Sequence, residues 1–144
     1  MSSILVLDDV ADAGNLIKRI LGKKGHDVFV YTEEEDALNH VKCSKTDLAI
    51  LDLKLKKMSG IDVLEKLKSI SPSIKAIILT GYPTVETARD SLKLGADEYC
   101  VKPIDKEELE KKVENILNSR TLFKAKSEEL SMWLCWGSNY FFLT

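Results

Sequence analysis

The chain has 144 residues, 44% hydrophobic and 31% charged, which suffices for one ordinary domain with a buried core and leaves no room for a second folded one. A formal net charge of −2, with basic residues scattered among acidic ones, supplies no field that would draw nucleic acid or an anionic membrane. The three cysteines, Cys43, Cys100 and Cys135, are widely spaced and form no CxxC pair, so they read as reduced thiols rather than a disulfide framework or a zinc site.

The N-terminus has no basic flank and meets Asp8 and Asp9 directly after the apolar run Ile4–Leu7, so that run predicts a buried strand and not a signal peptide. A helix follows with Leu16, Ile17, Ile20 and Leu21 on one face, and Gly22 and Gly25 mark its end. His26 and His40 lie far apart and read as surface or boundary residues. Val28–Tyr31 predicts a second strand, and Ala37, Leu38 and Val41 give the apolar face of a second helix. Leu48–Leu51 is the third strand; the helix after it carries Ile61, Leu64 and Leu67, with Ser59 as N-cap and Pro72 beyond its end. Ala76–Leu79 predicts the fourth strand, and Val85, Ala88 and Leu92 the apolar face of the fourth helix, with Gly95 at a left-handed C-terminal cap. Glu98–Val101 is the weakest strand signal, and the fifth helix shows Leu109, Val113, Ile116 and Leu117 on one face. No apolar run is long enough to span a bilayer, and a cytoplasmic location is expected.

Strands alternating with helices through short loops imply right-handed crossovers and parallel pairing, hence a doubly wound α/β fold with helices on both faces of a five-stranded parallel sheet. The expected order is 2-1-3-4-5, with a ligand crevice at the carboxyl ends of strands 1 and 3. Residues 1–118 form this domain; residues 119–144 are expected to be a C-terminal helical and aromatic tail, with no separate output domain. The tail runs through a charged stretch, Arg120 to Glu129, into an aromatic segment with Trp133, Trp136 and Phe141. Docking back on its own domain is the expectation for such a segment; left exposed, it would drive dimerisation or meet a membrane surface.

In a parallel sheet the residues after each strand collect on one edge. Strand 1 ends in Asp8 and Asp9, strand 3 in Asp52, strand 4 in Thr80 and strand 5 in Lys102-Pro103. Clustered carboxylates raise one another's pKa unless a cation sits among them, and a hard divalent ion such as magnesium, which takes oxygen ligands and keeps several waters, suits an open acidic cup. Lys102 and Thr80 could then hold phosphoryl oxygens while a carboxylate acts as nucleophile.

In order and spacing, Asp8-Asp9, Asp52, Thr80 and Lys102-Pro103 resemble the signature of response-regulator receiver domains of two-component signalling, a flavodoxin-like family, over roughly residues 3–118. The resemblance implies that Asp52 is the phosphoacceptor, that Asp9 binds magnesium directly and Asp8 mostly through water, and that the backbone carbonyl of Lys54 completes the protein ligands. It also implies that Thr80 and Lys102 bind phosphoryl oxygens and that the Lys102–Pro103 peptide is cis. Tyr99 matches the aromatic position that moves inward when Thr80 shifts, which would alter the nearby partner-binding surface. The implied partners are a histidine kinase or phosphotransfer protein upstream and an unidentified effector downstream. Direct nucleic-acid or membrane binding is not expected. A homodimer through the tail or the fourth- or fifth-helix face is a further expectation.

Local details add to this picture. Gly81 leaves space beside Thr80 for a phosphodonor, and Met58-Ser59-Gly60 departs from the family's Met-Pro-Gly turn. Lys54 and Tyr82, two residues beyond Asp52 and Thr80, are placed to crowd an attacking water and prolong the phosphorylated state. The chain is expected to be no enzyme beyond its own phosphorylation and dephosphorylation. One alternative is a magnesium-dependent phosphatase resembling the haloacid dehalogenases, with an aspartate nucleophile after strand 1; that family needs a second acid two positions on, where this chain has Val10. Another is a pseudo-receiver that never carries phosphate, with Lys54 occupying the site electrostatically.

Overall fold

A computed structural model describes residues 2–118 of the chain. In chain order the elements are β1 (Ser3–Leu7), α1 (Ala11–Gly22), β2 (Asp27–Tyr31), α2 (Glu34–Cys43), β3 (Leu48–Leu51), α3 (Gly60–Ile70), β4 (Lys75–Thr80), α4 (Val85–Lys93) and β5 (Glu98–Val101), followed by helical residues 106–118, here α5. The strands pair in parallel in the order β2-β1-β3-β4-β5, as the sequence predicts. The tail expectations for residues 119–144 fall outside the described residues.

Side chains alternate across a strand, so each inner strand feeds two cores. Leu5, Leu7, Ala49, Leu51, Ala76 and Ile78 face α2 and α3, where Ala37, Leu38, Val41, Val63, Leu64 and Leu67 are buried. Ile4, Val6, Leu48, Ile50, Ile77 and Leu79 face the other way, toward Ile17 and Leu21 of α1 and Leu109, Val113 and Ile116 of α5. Burial on both faces explains why these strands read as unbroken apolar runs.

Three local expectations hold. Ser59 caps α3 in a reciprocal capping box, its Oγ accepting from Asp62 N at 3.2 Å while Asp62 Oδ2 accepts from Ser59 N at 3.4 Å. Gly25 and Gly95 adopt φ of 90° and 97°, the left-handed region where a side chain is strained. His26 and His40 are half-buried boundary residues, with His40 Nδ1 sharing a 2.9 Å hydrogen bond with Tyr31 Oη.

Two helix faces differ from the prediction. On α1 Leu16 is exposed; the buried positions are Gly14, Ile17 and Leu21. The helix lies so close to β2 that a Cβ at residue 14 would sit 2.5 Å from Val30 Cγ1, and that approach rotates Leu16 outward. On α4 the expected apolar face of Val85, Ala88 and Leu92 does not pack inward. Val85 and Leu92 are exposed, whereas Ser91 is fully buried and donates to Thr87 O at 2.7 Å. Polar contacts set this rotation: Thr84 and Thr87 form a capping box, and Thr87 Oγ1 meets Tyr99 Oη at 2.8 Å, which turns the threonine side of the helix toward β5.

Candidate functional site

Register brings the acids together. Leu7 and Leu51 are partners across β1 and β3, and Asp52 N donates to Leu7 O at 3.0 Å, so Asp8 and Asp52 leave adjacent strand tips side by side. Both are buried, with Asp8 2% and Asp52 8% exposed, and Asp9 is half-buried beside them. One carboxylate oxygen from each of Asp8, Asp9 and Asp52 lies within 4.8 Å of the others. Asp8 is no helix cap: Val10 is the N-cap of α1 without a side-chain cap bond, and Asp8 Oδ1 accepts only from Val10 N, at 2.9 Å.

The tip of β5 supplies the counter-charge. Lys102 N donates to Thr80 O at 2.8 Å, extending the β4–β5 ladder, and Lys102 Nζ reaches Asp8 Oδ2 at 2.6 Å and Asp52 Oδ2 at 3.2 Å. The Lys102–Pro103 peptide is cis, as the resemblance implies. Burial pushes the Asp52 carboxyl above its ordinary value; the Lys102 charge opposes this and the Asp8 charge adds to it. For Lys102 burial works against the ammonium, but the hydrogen bond and charge of Asp8, together with Asp52, outweigh it and raise its pKa. A lysine thus bridges two of the three acids. The donor set itself fits magnesium: three converging carboxylates are hard oxygen ligands at a cup open on the Asp9 side.

Thr80 is fully buried, and its Oγ1 accepts from Tyr82 N at 3.0 Å, which leaves the hydroxyl proton for another acceptor. Lys54 N donates to Asp52 Oδ1 at 3.3 Å, and Lys54 Nζ sits 3.7 Å from the centroid of the Tyr82 ring. The two residues two positions beyond Asp52 and Thr80 therefore meet in a cation–π contact at the site's mouth, where Tyr82 is 64% exposed. Tyr99 is half-buried with its hydroxyl directed to α4, where it also accepts from Thr84 N at 3.4 Å.

A family model for the response regulator receiver domain matches residues 4–114. The chain belongs to that family. The receiver domain is 32% identical over 114 residues to sporulation initiation phosphotransferase F of Bacillus subtilis, covering 79% of this chain and 92% of that protein. It is 34% identical over 114 residues to the transcriptional regulatory protein ZraR of Escherichia coli, covering 79% of this chain but spanning only 26% of that relative's length. Among solved structures, a CheY-like response regulator receiver domain protein from Methanospirillum hungatei superposes with a TM-score of 0.82 at 31% identity, over 84% of this chain and 97% of that one. A receiver domain protein from Clostridium thermocellum gives 0.79 at 33% identity, over 85% and 99%. Receiver domains of two-component response regulators are signalling switches.

Two residues that pack beside this site are not evident from the motif. Glu34, at the start of α2, is fully buried, and its Oε2 accepts from Lys57 N at 2.7 Å and Met58 N at 3.0 Å in the loop after β3. Burial alone would raise its carboxyl, but the amides of Glu34 itself, Lys57 and Met58 hold it below its ordinary value. The signal was spacing: Glu34, Ala37, Leu38 and Val41 are the buried positions of α2, so one acid of the run Glu33–Asp36 falls on the apolar face. Gly60 is the second. A Cβ there would lie 2.2 Å from the backbone oxygen of Asp52, so the start of α3 can approach the end of β3 only without a side chain. At Gly81, by contrast, a Cβ would meet nothing within 4 Å, in keeping with open space beside Thr80.

Proposed function

We propose that this receiver is a phosphorylation-controlled switch in which Asp52 is the nucleophile. The supporting observation is the gathering of Asp8, Asp9 and Asp52 within 4.8 Å, with Lys102 Nζ bridging two of them. An Asp52 carboxylate oxygen attacks phosphorus, the bond from phosphorus to the donor atom breaks, and the donor leaves with the electron pair, taking up a proton. A magnesium ion held by Asp9 and Asp52, by Asp8 mostly through water and by the Lys54 carbonyl would supply the positive charge that draws phosphoryl oxygens toward a cluster of acids. Lys102, with its side chain 27% exposed, transfers its contact from the Asp52 carboxylate to a phosphoryl oxygen, and the spare Thr80 hydroxyl proton donates to another. In release, water attacks phosphorus, the bond from the Asp52 oxygen to phosphorus breaks with its electron pair returning to the carboxylate, and inorganic phosphate leaves as the water gives up a proton.

Movement of Thr80 toward the phosphoryl group vacates space that Tyr99 can fill, at the cost of its bond to Thr87 on α4. The adjoining surface, with Val85, Leu92 and Val101 exposed, is then the face an effector or a second copy would read. Upstream, a histidine kinase or phosphotransfer protein would meet the apolar groove lined by Ala13, Leu16, Leu79, Pro103 and Ile104, which abuts Lys102. Such a partner would act on the domain in the cytoplasm. No helix among the described residues is long and apolar enough to cross a membrane. A phosphatase with Asp8 as nucleophile finds no support, since Val10 supplies no second acid.

The test is intact mass after incubation with a small phosphodonor and magnesium. The parent is expected to gain one phosphoryl group, Asp52→Asn none, and chelator is expected to suppress the gain; an unmodified parent, or a modified Asp52→Asn, rejects the assignment. A second prediction concerns lifetime. The Lys54–Tyr82 contact acts as a lid on the attacking water, and a cation–π contact at an exposed site contributes about 0.5–1 kcal/mol. Lys54→Ala and Tyr82→Ala are each expected to release phosphate about two- to fivefold faster than the parent. Unchanged release rates in both would remove the lid.

A further inference from the structure

We infer that Glu34 is a positioning residue for the magnesium site, holding the loop that carries the Lys54 carbonyl; this rests on the metal-site reading above. The loop leaves β3 at Asp52 and enters α3 at Gly60. Its neck is closed by Gly60 N donating to Leu53 O at 2.9 Å. Its far side is tied to α2 by one carboxylate oxygen of Glu34, which takes the amides of both Lys57 and Met58, while Leu55 and Met58 pack against the core beneath. A flanking pair, Lys56 Nζ with Glu33 Oε1 at 3.5 Å, spans the same gap at the surface.

Lys54 lies between two pins. Its own N–H is held by Asp52 Oδ1, and three residues on, Lys57 is held by Glu34. Only Leu55 and Lys56 separate the two pinned residues, so few backbone torsions are left to turn the Lys54 carbonyl. Two amides on one ionised oxygen make charge-assisted bonds, stronger than those a neutral acceptor provides. Glu34 Oε1 is buried without a hydrogen-bond partner, a cost that packing alone would not favour in a core position flanked by Ala37 and Leu38. What the residue gains is the fixed loop.

Magnesium titration calorimetry on the full chain, with parent, Glu34→Ala and Glu34→Gln, tests this. Loss of a group that orients a ligand weakens metal binding on the order of tenfold, which is the expectation for Glu34→Ala. Glu34→Gln keeps a carbonyl oxygen facing the two amides and is expected to restore affinity to within about threefold of the parent, a rescue that general destabilisation would not produce. Amide exchange in the unsubstituted protein gives a readout independent of any variant's folding: the Lys57 and Met58 amides are expected to be protected although they belong to no helix or strand. Equal affinities for parent and Glu34→Ala, a Gln variant as weak as the Ala one, or rapid exchange at Lys57 and Met58 in the parent would each overturn the inference. A parent that binds no magnesium at all would instead overturn the metal site itself.

Discussion

Lys102→Ala is expected to lower the unfolding free energy by about 3 kcal/mol in magnesium-free buffer, with magnesium restoring most of the loss. The side chains of Asp8 and Asp52 are only 3% and 10% exposed, and Lys102 is the cation that bridges them. Truncation leaves two buried like charges facing one another, and a divalent ion in the same cup would take over the lysine's role. Acidity adds a signature. Burial already sets the Asp52 carboxyl above its ordinary value, and removal of Lys102, the largest opposing influence, raises it further. A group whose pKa is higher folded than unfolded favours the fold in its protonated form. That contribution is complete below the unfolded value and is lost as pH rises through the folded one. The deficit of the variant is therefore expected at about pH 7 and should shrink toward about pH 4, near the ordinary aspartate value. Urea denaturation at both pH values, with and without magnesium, reads this out. A deficit that ignores both pH and metal would show that Lys102 contributes packing only.

What could be read from the sequence and what could not divide along a physical line. The strands were legible because a parallel sheet covered on both faces needs unbroken apolar runs, and the acids were legible because the fold sends every strand end to one edge. Helix orientation was less so. The stripe Val85, Ala88 and Leu92 correctly marks an apolar face on α4, but a stripe does not state whether its partner is the same chain, and here hydrogen bonds from Thr87 and Ser91 turn it outward. Leu16 was misplaced because the close approach at Gly14 depends on Val30, a residue of another strand. Glu34 was hidden in a run of acids that looks like an ordinary solvated first turn, where negative charge suits the helix dipole. The sequence points Lys102 toward phosphoryl oxygens but does not show that its Nζ also bonds Asp8 and Asp52 directly.

Gly60→Ala separates local propensity from tertiary demand more sharply than any other single change. Gly60 is the first residue of α3, directly after the Ser59 cap, and its φ is not in the left-handed region. By helix propensity alone, alanine there would stabilise by up to about 1 kcal/mol. The added Cβ, however, would lie 2.2 Å from Asp52 O and 2.9 Å from both Asp52 C and Leu53 Cα, all backbone atoms that cannot rotate aside. Either α3 retreats or the end of β3 moves, and overpacking of that kind costs about 3 kcal/mol or more. Because the displaced segment carries Asp52 itself and closes its neck through the bond from Gly60 N to Leu53 O, the substitution is expected to weaken magnesium binding together with stability. Gly81→Ala is the matched control: its Cβ meets nothing within 4 Å, so stability is expected to stay within about 0.5 kcal/mol of the parent. Denaturation midpoints and magnesium titrations on both variants decide the matter. A Gly60→Ala protein as stable as the parent, with its metal affinity intact, would mean that the close approach of α3 to the end of β3 is not needed to hold Asp52 in place.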